Sequence, residues 1–219
     1  MMTYNELRNN SDIRTYIEAA DASLDVLGYT RHSFEHVTKV AEMTGYILEE
    51  LGCDAHTAEL GRIAAYLHDI GNMVNRTDHA QSGAVIAFTL LDKLSFGAAD
   101  IAAIVTAIGN HDESTAIPVN AVAAALIIAD KTDVRRSRVR NRSTIQFDIH
   151  DRVNYSVISS SLELNEDKTS LELSLDKDTE IGAVMEYFEI FLKRMLMCRK
   201  AAEALGLTFK LVINNQHLL

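Results

Sequence analysis

The sequence predicts a mostly α-helical fold that ends in a small ββαβ unit, and three observations carry that prediction. Apolar residues recur every three or four positions from Ile13 to about Val134. They alternate with polar ones after Ile145. A long helical period returns between Ile181 and Leu205, before a last alternating run at Phe209, Leu211 and Ile213. A helix that buries one stripe repeats about every 3.6 residues, and a strand that buries one face repeats every two. The change of period sets the expected boundary between a helical domain, 1–142, and an α+β subdomain, 143–219.

Each element has a local reason. Asn9-Asn10-Ser11-Asp12 offers side-chain oxygens for a helix start, Ile13, Ile17, Ala20, Leu24 and Leu27 form its stripe, and Gly28 ends it. Thr30 is expected to cap a second helix that buries Phe34, Val37, Val40, Ala41, Ile47, Leu48 and Leu51 and closes at Gly52. Asp54 opens a third, running through Ala58, Ile63 and Leu67 to His68-Asp69. Residues 71–77 form a short polar loop with little room for a large lid. A fourth helix begins at Asp78 or Ser82, a fifth spans Ala98 to about Gly109, and a sixth spans about Asn120 to Val134, with Pro118 marking its entry. Val153, Tyr155 and Val157 then alternate, as do Leu162 and Leu164, and Leu171, Leu173 and Leu175, around the polar turn Asn165-Glu166-Asp167-Lys168. That is a strand and hairpin signal.

Composition narrows the class. The chain has 219 residues, of which 47% are hydrophobic and 24% charged, an ordinary balance for a packed globular protein. Its 21 Lys and Arg against 31 Asp and Glu give a net charge of −10, which disfavours broad binding to nucleic-acid backbone or anionic membrane. Cys53 and Cys198 lack a CxxC spacing and read as reduced thiols. Met1 to Glu6 shows no basic region followed by an apolar core, and no apolar run approaches the ~20 residues of a membrane span. A cytoplasmic protein is therefore expected.

The chemistry is in the histidines and two aspartates. A lone histidine on a helix is more often core or surface than ligand. Here His36 lies on the second helix, His68-Asp69 end the third, His79 opens the fourth, His111 ends the fifth, and Asp130 follows the apolar run Val122 to Ala129. Facing helices of a bundle can aim such residues at one interior point. A buried carboxylate beside an imidazole is costly unless a cation holds both, and a divalent metal accepts one neutral nitrogen and one anionic oxygen.

The series His36, His68-Asp69 and Asp130 resembles the four-ligand pattern of the HD superfamily of metal-dependent phosphohydrolases. The resemblance covers about residues 30 to 134. It rests on the words Glu35-His36-Val37-Thr38-Lys39-Val40-Ala41, Leu67-His68-Asp69-Ile70-Gly71 and Ile128-Ala129-Asp130-Lys131. His79, in Asp78-His79-Ala80-Gln81-Ser82-Gly83-Ala84, and His111, in Gly109-Asn110-His111-Asp112-Glu113, are similar to the second-metal histidines of binuclear members. Asn110 stands where some of those carry another histidine.

The resemblance implies an HD-domain helical bundle holding one or two divalent transition metals (Fe, Mn, Co, Ni or Zn) through His36, His68, Asp69, His79, His111 and Asp130. Asp69 would bridge the ions, with Asp69, His68, His79 and His111 catalytic. With a single ion, His79 and His111 would act on the leaving group as acids. The implied activity is hydrolysis of a small phosphorylated substrate: a nucleotide, a dinucleotide polyphosphate as in the symmetrical dinucleoside tetraphosphate hydrolases, or a phosphate monoester.

Arg135, Arg136, Arg138, Arg140 and Arg142 follow the Asp130 helix; the plain reading is a solvated helix end, the functional one a phosphate grip by Arg135, Arg136 and Arg138 with Lys131 and Asn72. Asn72 replaces the lysine many members carry there. Glu113 to Pro118 lacks the Gly-Tyr-Pro word of the cyclic-dinucleotide phosphodiesterases, which argues against that activity. His32, one turn before His36, is expected on the surface. Competing readings are a di-iron oxygenase of the same fold and a non-catalytic metal-binding sensor or interaction module. Edges of the C-terminal sheet leave room for a homodimer.

Overall fold

A computed structural model describes residues 2–114, 116–140, 143 and 145–219. The helices are α1 (Tyr4–Leu7), α2 (Ser11–Val26), α3 (Phe34–Glu50), α4 (Ala55–Leu67), α5 (His79–Lys93), α6 (Ala98–Gly109), α7 (Ala121–Lys131), α8 (Ile149–Ser156) and α9 (Val184–Ala204). The strands are β1 (Val157–Leu164), β2 (Ser170–Lys177), β3 (Thr208–Ile213) and β4 (Gln216–His217), and 3-10 turns occupy Ile70–Met73 and Arg136–Arg138. Arg142 lies outside the described residues.

Several helix starts follow the expected caps. Asn10 accepts from the Asp12 and Ile13 amides, Asp54 from Thr57 and Asn120 from Ala123. Thr30 does not cap α3; Ser33 occupies that position. The segment before it is held straight, because the Arg31 amide donates to the Arg138 carbonyl at 2.8 Å and the His32 amide to Asp21 Oδ1 at 2.8 Å. The helix can start only after those bonds are made.

Val153 and Tyr155 belong to α8 and not to a strand. Asp148 accepts from the His150 and Asp151 amides and starts a helix whose buried residues include Val153. The alternation read there joins the end of that helix to Val157, the first residue of β1, and so mimics a strand. β1 pairs antiparallel with β2 from Leu164↔Leu171 to Val157↔Lys177. β2 pairs parallel with β3, the long connection being α9, as parallel strands require. The short β4 adds antiparallel to β3 through a turn at Asn214 and Asn215, both in the left-handed region (φ 50 and 63).

Packing joins the two parts. α7 is apolar on all sides, and Val122 through Ala129 are buried between α3, α4 and α6 on one flank and α9 on the other. α9 in turn buries Tyr187, Phe191, Met195, Cys198, Ala201 and Ala202 and also packs on β3. One contiguous set of buried apolar side chains therefore runs from Tyr4 to Ile213. Among the described residues, no helix is long and apolar enough to cross a membrane.

Gly71 fixes how the third and fourth helices of the sequence reading meet. A Cβ there would lie 2.0 Å from the His79 carbonyl oxygen and 2.5 Å from the Gly83 amide. Only glycine permits this approach, which sets the first turn of α5 against the end of α4.

Candidate metal centre

Six residues named from the sequence converge at the helix ends. His36 comes from α3, His68 and Asp69 from the end of α4, His79 from the first position of α5, His111 from just beyond α6, and Asp130 from α7. Asp69 lies at the middle and divides its oxygens. Oδ2 is 3.1 Å from His68 Nε2 and 3.6 Å from His36 Nε2; Oδ1 is 3.4 Å from His79 Nε2 and 3.9 Å from His111 Nε2. Asp130 Oδ1 closes the first end, 3.4 Å from His36 Nε2 and 3.6 Å from His68 Nε2.

The tautomers follow from the outer nitrogens. Nδ1 of His68 meets the Ala65 carbonyl at 2.6 Å, that of His111 the Ile108 carbonyl at 2.6 Å, and that of His79 the Arg76 carbonyl at 3.1 Å. His36 Nδ1 meets Asp133 Oδ2 at 2.7 Å. A carbonyl or carboxylate only accepts, so each Nδ1 donates, and in the neutral ring each Nε2 turns a lone pair inward. Lone pairs then face carboxylate oxygens across gaps of three to four ångströms, an arrangement that repels itself unless positive charge sits among them.

Burial makes the same point. His36, His68 and His111 are each at most 1% exposed, and Asp69 is 5% exposed. His36 Nε2, His68 Nε2 and Asp69 Oδ2 are buried with no hydrogen-bond partner among the described residues. Buried polar atoms are otherwise nearly always paired. His36, His68 and Asp130 form one group that could hold a metal ion, and His68, Asp69 and His111 another, with ligand atoms in each within 4.8 Å of one another. The donor set of imidazole and carboxylate suits a divalent transition metal.

The titration pattern reflects the same demand for positive charge. Burial opposes the charged form of His68, but the carboxylates of Asp69 and Asp130 outweigh it and push the imidazole up to about 10. His111 is driven down to about 3 by burial, then by the charges of His68 and Lys131. Burial would raise Asp130, but the charge of Lys131 and the close imidazoles of His36 and His68 hold it well below the usual carboxylate range.

A supporting layer fixes the inner residues. Asp133 is gripped by Lys39 at 3.2 Å and by Arg135 Nε at 2.7 Å, and its own backbone carbonyl accepts from Arg138 Nη1 at 2.9 Å. The His36 bond, then the charge of Arg138 and the bond from Arg135, overcome burial and keep Asp133 ionised far below the ordinary range. Asn72 Nδ2 donates to the Asp69 carbonyl and to Asp69 Oδ1, both at 2.9 Å, and so aims the central carboxylate.

Above the cluster is a cavity of about 360 Å³ whose wall carries Arg76, Lys131, Arg138 and Arg194. Of the residues expected to grip phosphate, Lys131 and Arg138 line it. Lys131 Nζ is 2.6 Å from Asp130 Oδ2. Arg135, Arg136 and Asn72 do not line it. Arg135 is engaged by Asp133 and Glu35, Arg136 lies 4.6 Å over the Tyr155 ring and donates to the Tyr155 carbonyl, and Asn72 faces Asp69. Arg140 pairs with Asp21.

Four residues were missed. His32 is not on the surface: its side chain is 12% exposed, and Nε2 lies 3.9 Å from Asp69 Oδ2. The one-turn spacing to His36 was the available signal. Asp133 follows Asp130 at helical spacing, which could have marked it as a neighbour of the same site. Nothing local marks Arg76 or Arg194.

Imidazoles and carboxylates gathered at the helix ends of one bundle, under a cationic cavity, support a metal-dependent hydrolase in general. The chain belongs to the HD-domain family, whose model, described as HD domain, matches residues 33–142. No curated protein matches the chain. Among solved structures it is similar to a predicted HD superfamily hydrolase from an uncultured Thermotogales bacterium, at 28% identity and a TM-score of 0.45, over 57% of this chain and 67% of that one.

Proposed function

We propose that this protein is a phosphohydrolase that cleaves a small phosphate ester or anhydride with one or two divalent transition metal ions. The observation that carries the reading is the set of inward Nε2 lone pairs, two of them orphaned, around the divided carboxylate of Asp69. His36, His68, Asp69 and Asp130 would hold one ion; Asp69, His79 and His111 would hold a second. Such ions lower the pKa of bound water towards ~7 and offset negative charge on phosphoryl oxygens.

The chain's own groups do the rest. Lys131 and Arg76 place positive charge where the phosphoryl oxygens would lie. Asp133 and the carbonyls of Ala65 and Ile108 hold the imidazoles in one tautomer, and Asn72 keeps Asp69 from rotating. A cavity of about 360 Å³ suits a substrate with the bulk of one nucleotide or sugar phosphate better than a dinucleotide polyphosphate. β1 is an outer strand of the sheet, and a homodimer would form through its free edge; sedimentation as a monomer alone removes that part of the reading.

The deciding experiment pairs elemental analysis of the purified protein with phosphate release from a panel of nucleotides and sugar phosphates. Bound transition metal and metal-dependent release, both lost in Asp69→Ala, are expected. A metal-loaded wild type that releases no phosphate, or that consumes oxygen instead, overturns the assignment.

A further inference from the structure

The C-terminal unit contributes to the cavity as well as to the core. α8 lines it through His150, Asp151 and Asn154, with Asp148 at its cap, and α9 through Phe191 and Arg194. Phe191 is 1% exposed, and the Arg194 guanidinium rests 4.6 Å over its ring, which fixes the plane of the fork. Arg194 Nε is taken by Glu113, two residues beyond His111, and among the described residues neither Nη group of Arg194 makes a hydrogen bond.

The other cations of the cavity are differently placed. Lys131 lies against Asp130, and Arg76 against Asn72 and His79, so both belong to the cluster itself. Arg138 is 7% exposed and held by the carbonyls of Arg31 and Asp133. Its guanidinium is pulled below its ordinary range by burial; the carboxylates of Asp133, Asp130 and Asp69 work against that shift, and the charge of Arg194 adds to it. Two fixed guanidinium groups that repel each other across one cavity are relieved by an anion.

Resting on the phosphohydrolase reading, we infer that Arg138 and Arg194 form a subsite for a second anionic group of the substrate. The substrate class is then a small phosphate ester that also carries another phosphate or a carboxylate, and the C-terminal unit supplies the selectivity. Arg194 is the specificity-determining residue, because its planar fork matches the two oxygens of either group.

The test is calorimetric titration of the manganese-loaded protein with non-hydrolysable probes: alkylene bisphosphonates of two to four carbons against alkylphosphonates of the same length. The wild type is expected to bind the best bisphosphonate about 10- to 100-fold more tightly, the range of one charge-assisted contact. Arg194→Gln is expected to lose that margin, Arg194→Lys to keep part of it, and Lys193→Gln to keep all of it. A wild type without the margin overturns the inference. So does an Arg194→Gln that retains it, or that weakens both probe classes equally through loss of the Glu113 tether. A thermal melt by circular dichroism reports folding, and if Arg194→Gln does not fold, an unreduced margin in Arg194→Lys is the overturning result. Phosphate release by the wild type, measured separately, decides the hydrolytic reading, so the two failures are distinguishable.

Discussion

The two ends of the histidine cluster meet the same carboxylate with different support. At the His36 and His68 end, both inner nitrogens are orphaned, and behind them Asp133 is tied to Lys39, Arg135 and Arg138. At the other end, His79 Nε2 lies 3.2 Å from His111 Nε2 and 3.3 Å from Arg76 Nη1, while Asp112 stands off at 3.9 Å. The first end has no internal way to satisfy its lone pairs, and the second has one. The difference orders the two sites: the first ion should bind more tightly, and the second should be the exchangeable one.

The largest effect comes from the residue both ends share. Asp69→Ala is expected to abolish binding of both ions and to reduce phosphate release to background, as read by elemental analysis and assay. Separating the ends is the next test: His36→Ala should lose the tight ion, whereas His111→Ala should retain about one ion per chain by the two-site logic. Equal losses from the two variants would break the ordering.

Removal of metal by a chelator is expected to lower the melting temperature. An ion at 100 times its dissociation constant stabilises by about 2.7 kcal/mol, which for a chain of this size is roughly 5 to 10 °C. A smaller change is expected from Asp133→Asn, which keeps the shape but weakens the hold on His36. Affinity for the tight ion should fall about 10- to 100-fold with the exchangeable ion unaffected.

The pH dependence sharpens the same contrast. Without metal the folded His68 imidazole is pushed up to about 10 by Asp69 and Asp130, above its ordinary value of 6.5. Its contribution to stability is therefore complete below pH 6.5 and is lost as pH rises towards 10. Chelated protein should lose stability across that window in denaturant titrations, and metal-loaded protein should not, since the ion replaces the proton.

Much of the body was legible because its signals are local. α2 and α4 carry their own caps and stripes, and His36, His68-Asp69 and Asp130 lie in words of a few residues each. Where the signal is long-range, the sequence was silent. Arg138 holds the loop before α3 from 107 residues away, which displaced the α3 start from Thr30 to Ser33. α8 was hidden because one or two turns present too few periods to separate from a strand. Arg76 and Arg194 entered the cavity through tertiary contacts, while Arg135 and Arg136, adjacent to the right words, were drawn off by Asp133 and Tyr155.

The envelope around α7 bears on how the protein is made. A nascent chain that has emerged only as far as residue 142 already contains every histidine and aspartate of the cluster. The helix bearing Asp130 is still bare along the flank that α9 covers. A chain released at that point would expose an alanine- and isoleucine-rich surface of α7 to chaperones until α9 docks.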